Sequence, residues 1–333
     1  MRVVRLHELG GPEKLLVEDV EVPQPSPDEV LVRVRAAALN HRDVFITRGL
    51  YPKLRLPVIL GADGAGEVHA LGERAGGVRI GDEVVIDPML DWGDDPDVWR
   101  PESSILGTPR DGTFAQYVAV PACNVYAKPS PLTMEEAAAL PVAALTAYRA
   151  LFTRGKLRAG ETVLITGVGG GVQTFVLLFA KHAGARTIVT SSSDAKLERA
   201  KSLGADVGLN YATNPDWQKT AKAAGPIDLA VDSSGGETLG KVLSAVRPGG
   251  RVAVYGGTQP QAALRLFPLF WNHLTIVGTS MGSPWDFRAM LELFSKGGLK
   301  PAIDRVFGMH DVVEATRRLE DAEQFGKIVL RID

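Results

Sequence analysis

The sequence has 333 residues, 45% hydrophobic and 23% charged, with a formal net charge of −2, proportions that describe an ordinary folded protein with room for two cores rather than one. With 37 Lys and Arg against 39 Asp and Glu, there is no basic excess to suggest nucleic acid or an anionic membrane surface. The single cysteine, Cys123, excludes an intrachain disulfide and every zinc site built from several thiolates.

The first residues, Met1 to Glu8, meet an acid before any apolar leader develops, and no apolar run approaches ~18 residues. A cytoplasmic protein is expected. The first third alternates with period two in Glu29–Arg35, Asp82–Ile86 and Phe114–Val120, which predicts short strands of a compact β structure over residues 1–130. Between Asp87 and Gly112 lies a long lobe with Trp92 and Trp99, expected to be an irregular loop. Thr133 followed three residues later by Glu136 is a capping box opening an Ala-rich helix, and a nucleotide-binding domain over 131–280 is expected to begin there.

Six apolar strands then alternate with helices: 162–166, 186–190, 207–209, 227–232, 250–255 and 274–279. This is the pattern of a doubly wound parallel sheet. The tail, 281–333, predicts two amphipathic helices and a strand from Lys327 to Leu330 that return to the N-terminal domain.

The first of the six strands runs into Gly167, Gly169, Gly170 and Gly171, followed by Val172 and a helical segment. Glycines at such a turn permit a tight reversal and let a pyrophosphate approach backbone N–H groups at a helix N-terminus. Strand, turn, helix and second strand fall within the ~30-residue unit of the dinucleotide fingerprint. Gln173 stands where the fingerprint has a small residue. It is expected to push the helix outward or to point at the cofactor.

Several stretches together resemble the medium-chain dehydrogenase/reductase family: Asn40-His41-Arg42-Asp43, Gly61 to Val68, Gly81-Asp82-Glu83-Val84, Asp111 to Val118, Lys196 to Ala200, Leu203 to Asp206 and Arg247 to Arg251. The resemblance covers essentially the whole chain. It implies an α/β fold in which a GroES-like β domain is split around a Rossmann domain. Zinc-dependent members carry Cys, His and Cys where Asn40, Ala62 and Val142 stand here, and four cysteines in the segment matching the lobe, which has none. The resemblance therefore implies that both metal sites are absent and that the acceptor must already be electrophilic, since no Lewis acid polarises it. A minor alternative is that His41, Asp43 or Asp63 recruits an ion by another geometry.

Zinc-free members resembling quinone oxidoreductases carry an Asn at the position of Asn40, and Arg48 to Pro52 looks like theirs. The resemblance makes Tyr51 a proton donor or a residue lining the substrate cleft, and Asn40 a holder of the substrate oxygen or the nicotinamide ribose. Asp43 is a catalytic candidate whose alternative role is to orient its loop, and His41 either touches the ribose or is a half-buried loop residue. For the cofactor, Ser191, Ser192 and Ser193 stand where an acid would bind the adenosine ribose of NADH, with Lys196 following. Hydroxyls and an ammonium suit a 2′-phosphate, so NADPH is expected over NADH. By resemblance Lys196 and Tyr211 clasp that phosphate, and Thr146, Gly256, Gly257, Thr279 and Lys327 are further cofactor contacts.

The reading that follows is a zinc-independent, NADPH-dependent oxidoreductase of quinones or α,β-unsaturated carbonyls, acting on small molecules as a homodimer paired through the last Rossmann strand. Its alternatives are an alcohol dehydrogenase-like reductase of simple aldehydes and ketones, and a non-catalytic NADPH-binding protein.

Overall fold

The computed structural model describes residues 1–333 as two compact units, Met1–Ala143 with Ser283–Asp333, and Ala144–Gly282. The first is organised around the strand Glu29–Ala38, whose Val30, Val32, Val34 and three alanines are buried. It pairs antiparallel with Asp63–Leu71, with Tyr117–Pro121 and with Lys327–Arg331, the last placing Leu330 opposite Ala37. The sheet runs in the order Val125–Ala127, Glu83–Ile86, Asp63–Leu71, Glu29–Ala38, Lys327–Arg331, Ile303–Gly308. Its tightest approach is at Gly66, where a Cβ would lie 2.0 Å from the Arg33 carbonyl oxygen.

The tail returns as the sequence predicts, with helices Pro284–Gly297 and Val312–Glu320, and it adds the strand Ile303–Gly308, which the sequence reading does not separate. Ser283 caps the first of these helices and Gly298, at φ 62°, ends it in the left-handed conformation.

Two expectations change. The capping box is present, with the Glu136 N–H donating to Thr133 Oγ1 at 3.2 Å and the Thr133 N–H to Glu136 Oε2 at 2.9 Å. Its short helix, Met134–Ala138, nevertheless belongs to the first unit, so the nucleotide unit begins at Ala144 rather than near 131. The helix is held there by Glu135 with Arg331 and Glu136 with Lys300, partners too distant in sequence for a composition shift to show. The lobe 87–112 also has internal order. Met89–Leu90 pairs with Ser104–Ile105, and buried Trp92 meets Trp99 edge-on at 6.0 Å.

The second unit is the doubly wound sheet. Strands Thr162–Ile165, Arg186–Ser191, Val207–Asn210, Ile227–Asp232, Val246–Val254 and Thr275–Gly278 are all parallel and lie in the order third, second, first, fourth, fifth, sixth. Val163, Leu164 and Ile165 of the central strand are fully buried, each contributing ~1.5–3 kcal/mol by leaving water. Parallel strands align their carboxyl ends along one edge, and the order reverses between the first and fourth strands, the place where such sheets bind ligands.

Candidate active and cofactor sites

In the first unit the site grows from the short helix His41–Thr47, which Asn40 precedes in extended conformation. Asp43 Oδ2 accepts the Asn40 N–H at 2.8 Å, fixing the helix start. Asn40 Nδ2 donates to Asp63 Oδ2 at 2.9 Å, while its Oδ1 accepts from Lys327 Nζ at 2.7 Å. The amide is thus pinned in one orientation, because a flip would set its NH₂ against an ammonium and its oxygen against a carboxylate. The second amide hydrogen of Asn40 remains uncommitted to the chain.

Lys327 is 2% exposed and Asp63 fully buried. The ammonium has three protons and three acceptors, the Leu39 carbonyl at 2.7 Å, Asn40 Oδ1, and Asp63 Oδ2 at 2.8 Å. Asp63 Oδ1 takes the Val142 N–H at 2.8 Å. Lys327, expected among the cofactor contacts, commits its three donors inside the first unit. The arrangement also gives the idea of an ion recruited by Asp63 a different answer, the cation being Lys327 itself.

Burial pushes the Asp43 carboxyl up to about 6, against the Arg42 charge and the Asn40 N–H, which hold it down. Its Oδ1 is buried without a hydrogen bond, 4.0 Å from Arg42 Nη1. Of the other sequence candidates, His41 is exposed beside Phe45, and Tyr51 is half-buried with its hydroxyl 3.4 Å from Arg42 Nε. Asp87 is the strongest titratable group that sequence reasoning missed. It is fully buried, its Oδ1 accepts the Met89 N–H at 3.0 Å, and its Oδ2 has no hydrogen-bond partner. Burial raises it to about 7.

Zinc chemistry can be tested against these donors. Positions 40, 62 and 142 offer an amide, a methyl and an isopropyl group, and Asp63, the carboxylate bonded to the Asn40 amide, is already paired with an ammonium. No group of three or more His, Cys, Asp and Glu side chains is placed to hold a metal. The residues present do not fit a tetrahedral zinc site.

In the second unit the glycine turn fits a dinucleotide. Gly167 and Gly169 have φ of 68° and 130°, and a Cβ on Gly169 would lie 2.8 Å from Lys196 Cδ. The helix Gly171–His182 starts immediately after, with Gly170 as its N-cap and half-buried Val172 in its first turn. Gln173 folds back over Gly170 and donates through Nε2 to Ser233 Oγ at 3.0 Å.

Most of the remaining candidates follow the carboxyl ends of the same sheet. Ser191 is buried and its Oγ accepts the Ser193 N–H, Ser192 is exposed, and Ser193 caps the helix Asp194–Ser202 by accepting the Lys196 N–H at 3.4 Å. Tyr211 is exposed beyond the third strand, its N–H on the Ser191 carbonyl at 3.0 Å. Gly256 and Gly257 are exposed after the fifth strand, and Thr279 follows the sixth with a buried hydroxyl that has no hydrogen-bond partner. Thr146 is buried on the helix Pro141–Tyr148.

Comparison with known proteins agrees with both halves. Residues 26–130 match the alcohol dehydrogenase GroES-like domain family and residues 171–296 the zinc-binding dehydrogenase family. The chain is 37% identical to a zinc-type alcohol dehydrogenase-like protein of Schizosaccharomyces pombe, covering 100% of this chain and 99% of that protein. It is 29% identical to an acryloyl-coenzyme A reductase of Sulfurisphaera tokodaii, covering 97% and 98%. A crystal structure described as an NAD-dependent alcohol dehydrogenase superposes with a TM-score of 0.94 at 40% identity, over 100% of both chains.

Proposed function

The chain belongs to the medium-chain dehydrogenase/reductase superfamily, among its zinc-type alcohol dehydrogenase-like members, and from that premise we propose a zinc-independent, NADPH-dependent reductase of quinones or α,β-unsaturated carbonyls. The observation that carries this reading is the Lys327 ammonium bonded to Asp63 and Asn40. A fixed cation saturates Asp63, the carboxylate bonded to the Asn40 amide, so the charge on a reduced acceptor has to be spread by the acceptor's own conjugation. Asn40 offers its free amide hydrogen to the acceptor oxygen, and Lys327 on the amide oxygen strengthens that donor through hydrogen-bond polarisation. The relative named as a reductase of acryloyl-coenzyme A supports a conjugated acceptor.

The glycine turn and the N-terminus of helix Gly171–His182 hold the cofactor pyrophosphate, and the nicotinamide supplies the hydride when bound. NADPH is favoured because the second strand ends in Ser191 rather than an acid, and because the Lys196 stem lies across the turn. The carboxylate nearby in sequence, Asp194, is engaged by Asn210 at 2.8 Å. A second reading, reduction of simple carbonyls with NADH, draws on the 40% identical structure described as NAD-dependent.

One assay separates them. EDTA-treated protein is offered NADPH or NADH with a quinone, an enal, an enone and a simple aldehyde, and cofactor oxidation is followed. Resistance to EDTA with preference for conjugated acceptors is expected. Turnover that EDTA abolishes and zinc restores would sink the metal-free reading, and cofactor binding without any turnover would favour a non-catalytic role.

A further inference from the structure

Arg42 is 8% exposed, in the first turn of the helix that Asn40 precedes. Its Nη1 donates to the Leu106 carbonyl at 2.6 Å and its Nε to the Tyr51 hydroxyl at 3.4 Å, while Nη2 is buried with no hydrogen-bond partner. The guanidinium carbon also stands 4.8 Å from the centroid of the Tyr51 ring. Arg42 follows Asn40 by two residues in that first turn, so the pairing ties Tyr51 to the segment that opens at Asn40.

Guanidinium is a donor only, so the Tyr51 oxygen accepts from Arg42 and its own hydrogen has to point elsewhere. We propose that Arg42 is a positioning residue which turns the Tyr51 O–H toward the acceptor and stabilises the phenolate left when that proton is delivered. The inference rests on the reductase reading above. Hydride addition to the β-carbon leaves an enolate on the acceptor. The Tyr51 O–H bond then breaks, the α-carbon gains the proton, and the phenolate recovers one from water, so that the two electrons come from the nicotinamide and both protonations balance. The competing role for Arg42 is a staple on the Leu106 carbonyl alone.

The experiment uses the NADPH-loaded protein and a conjugated enone, with Arg42→Met, Arg42→Lys, Tyr51→Phe and the Arg42→Met/Tyr51→Phe double variant. Tyr51→Phe should lose about a hundredfold in kcat, of the size expected for general acid catalysis. Arg42→Met should lose roughly tenfold or more, with a larger solvent deuterium isotope effect and unchanged KM for NADPH. Arg42→Lys should recover part of that loss, and the double variant should be no slower than Tyr51→Phe alone. Urea unfolding of the same proteins reads the contact without catalysis, and the midpoint shifts of the two single variants should not add.

Losses in kcat that multiply in the double variant, an unaltered isotope effect in Arg42→Met, or additive midpoints would each overturn the proposal while leaving the reductase reading intact. Wild-type protein that reduces no acceptor would defeat the reductase reading itself, and this inference with it.

Discussion

Asp63 and Asp87 are both fully buried carboxylates, and the contrast between them lies in their partners. Asp63 has an ammonium, an amide and a backbone N–H on its oxygens. Removing one partner of such a pair typically costs 3–5 kcal/mol, because the other charge stays buried. Asp87 has a single N–H donor, and burial leaves it at about 7, well above the ~3.9 of an unfolded aspartate. Between those two values the folded state binds more protons than the unfolded one, so Asp87 contributes stability that is complete below about 4 and lost as the pH rises through about 7. In Asp87→Asn that loss is absent. Urea unfolding from pH 4 to pH 8 should therefore show the variant gaining on the wild type by on the order of a few kcal/mol, levelling off above neutrality. A constant difference across the range would mean that Asp87 is not held protonated. Neither carboxylate's state was legible in the sequence. Asp63 meets Lys327 across 264 residues, and no local spacing reports that contact.

At the level of elements, the strands and the glycine turn were readable because period-two alternation, apolar runs and glycines are local consequences of burial and backbone geometry. All six parallel strands stand where the hydrophobic runs place them, within a residue or a few at their ends. The helix Met134–Ala138 was also legible as a helix, through its capping box, though not as a member of the first unit. Gln173 was legible as an anomaly, and only its contact with Ser233 explains how the turn tolerates it. The turn and the following helix carry a prediction of their own. Replacing Lys196 with Met removes the ammonium while keeping most of the stem that lies over Gly169, and it should weaken NADPH binding about ten- to a hundredfold, as losing a charge-assisted contact does. NADH binding should stay nearly unchanged. Titration calorimetry with both cofactors reads the difference, and equal losses would assign Lys196 to the pyrophosphate or to the fold instead.

For the whole molecule, the last parallel strand, Thr275–Gly278, is an edge, and the helix before it exposes a tight aromatic group. Phe267, Phe270 and Trp271 are each more than 60% exposed, with Phe267 stacked on Trp271 at 5.5 Å. An uncovered apolar edge of this kind invites pairing with a second copy. We therefore expect a homodimer, and Phe267→Asp with Trp271→Asp should shift the light-scattering mass from dimer to monomer while leaving the circular dichroism spectrum unchanged. A wild-type monomer would remove the expectation. The α/β division of the chain, a GroES-like part and a Rossmann-like part, was visible in the sequence order and in the resemblance alike.

The interleaving of the two units also has a history in time. Strand Glu29–Ala38 is made early, yet its neighbour Lys327–Arg331 follows only after the whole of the second unit. At synthesis rates of ~5–20 residues per second, roughly a quarter of a minute to a minute separates the two on the ribosome. The parallel sheet, continuous from Ala144 to Gly282, is complete before that wait ends. Asp63 spends the interval without its lysine, and a chain that stops before Lys327 never acquires it.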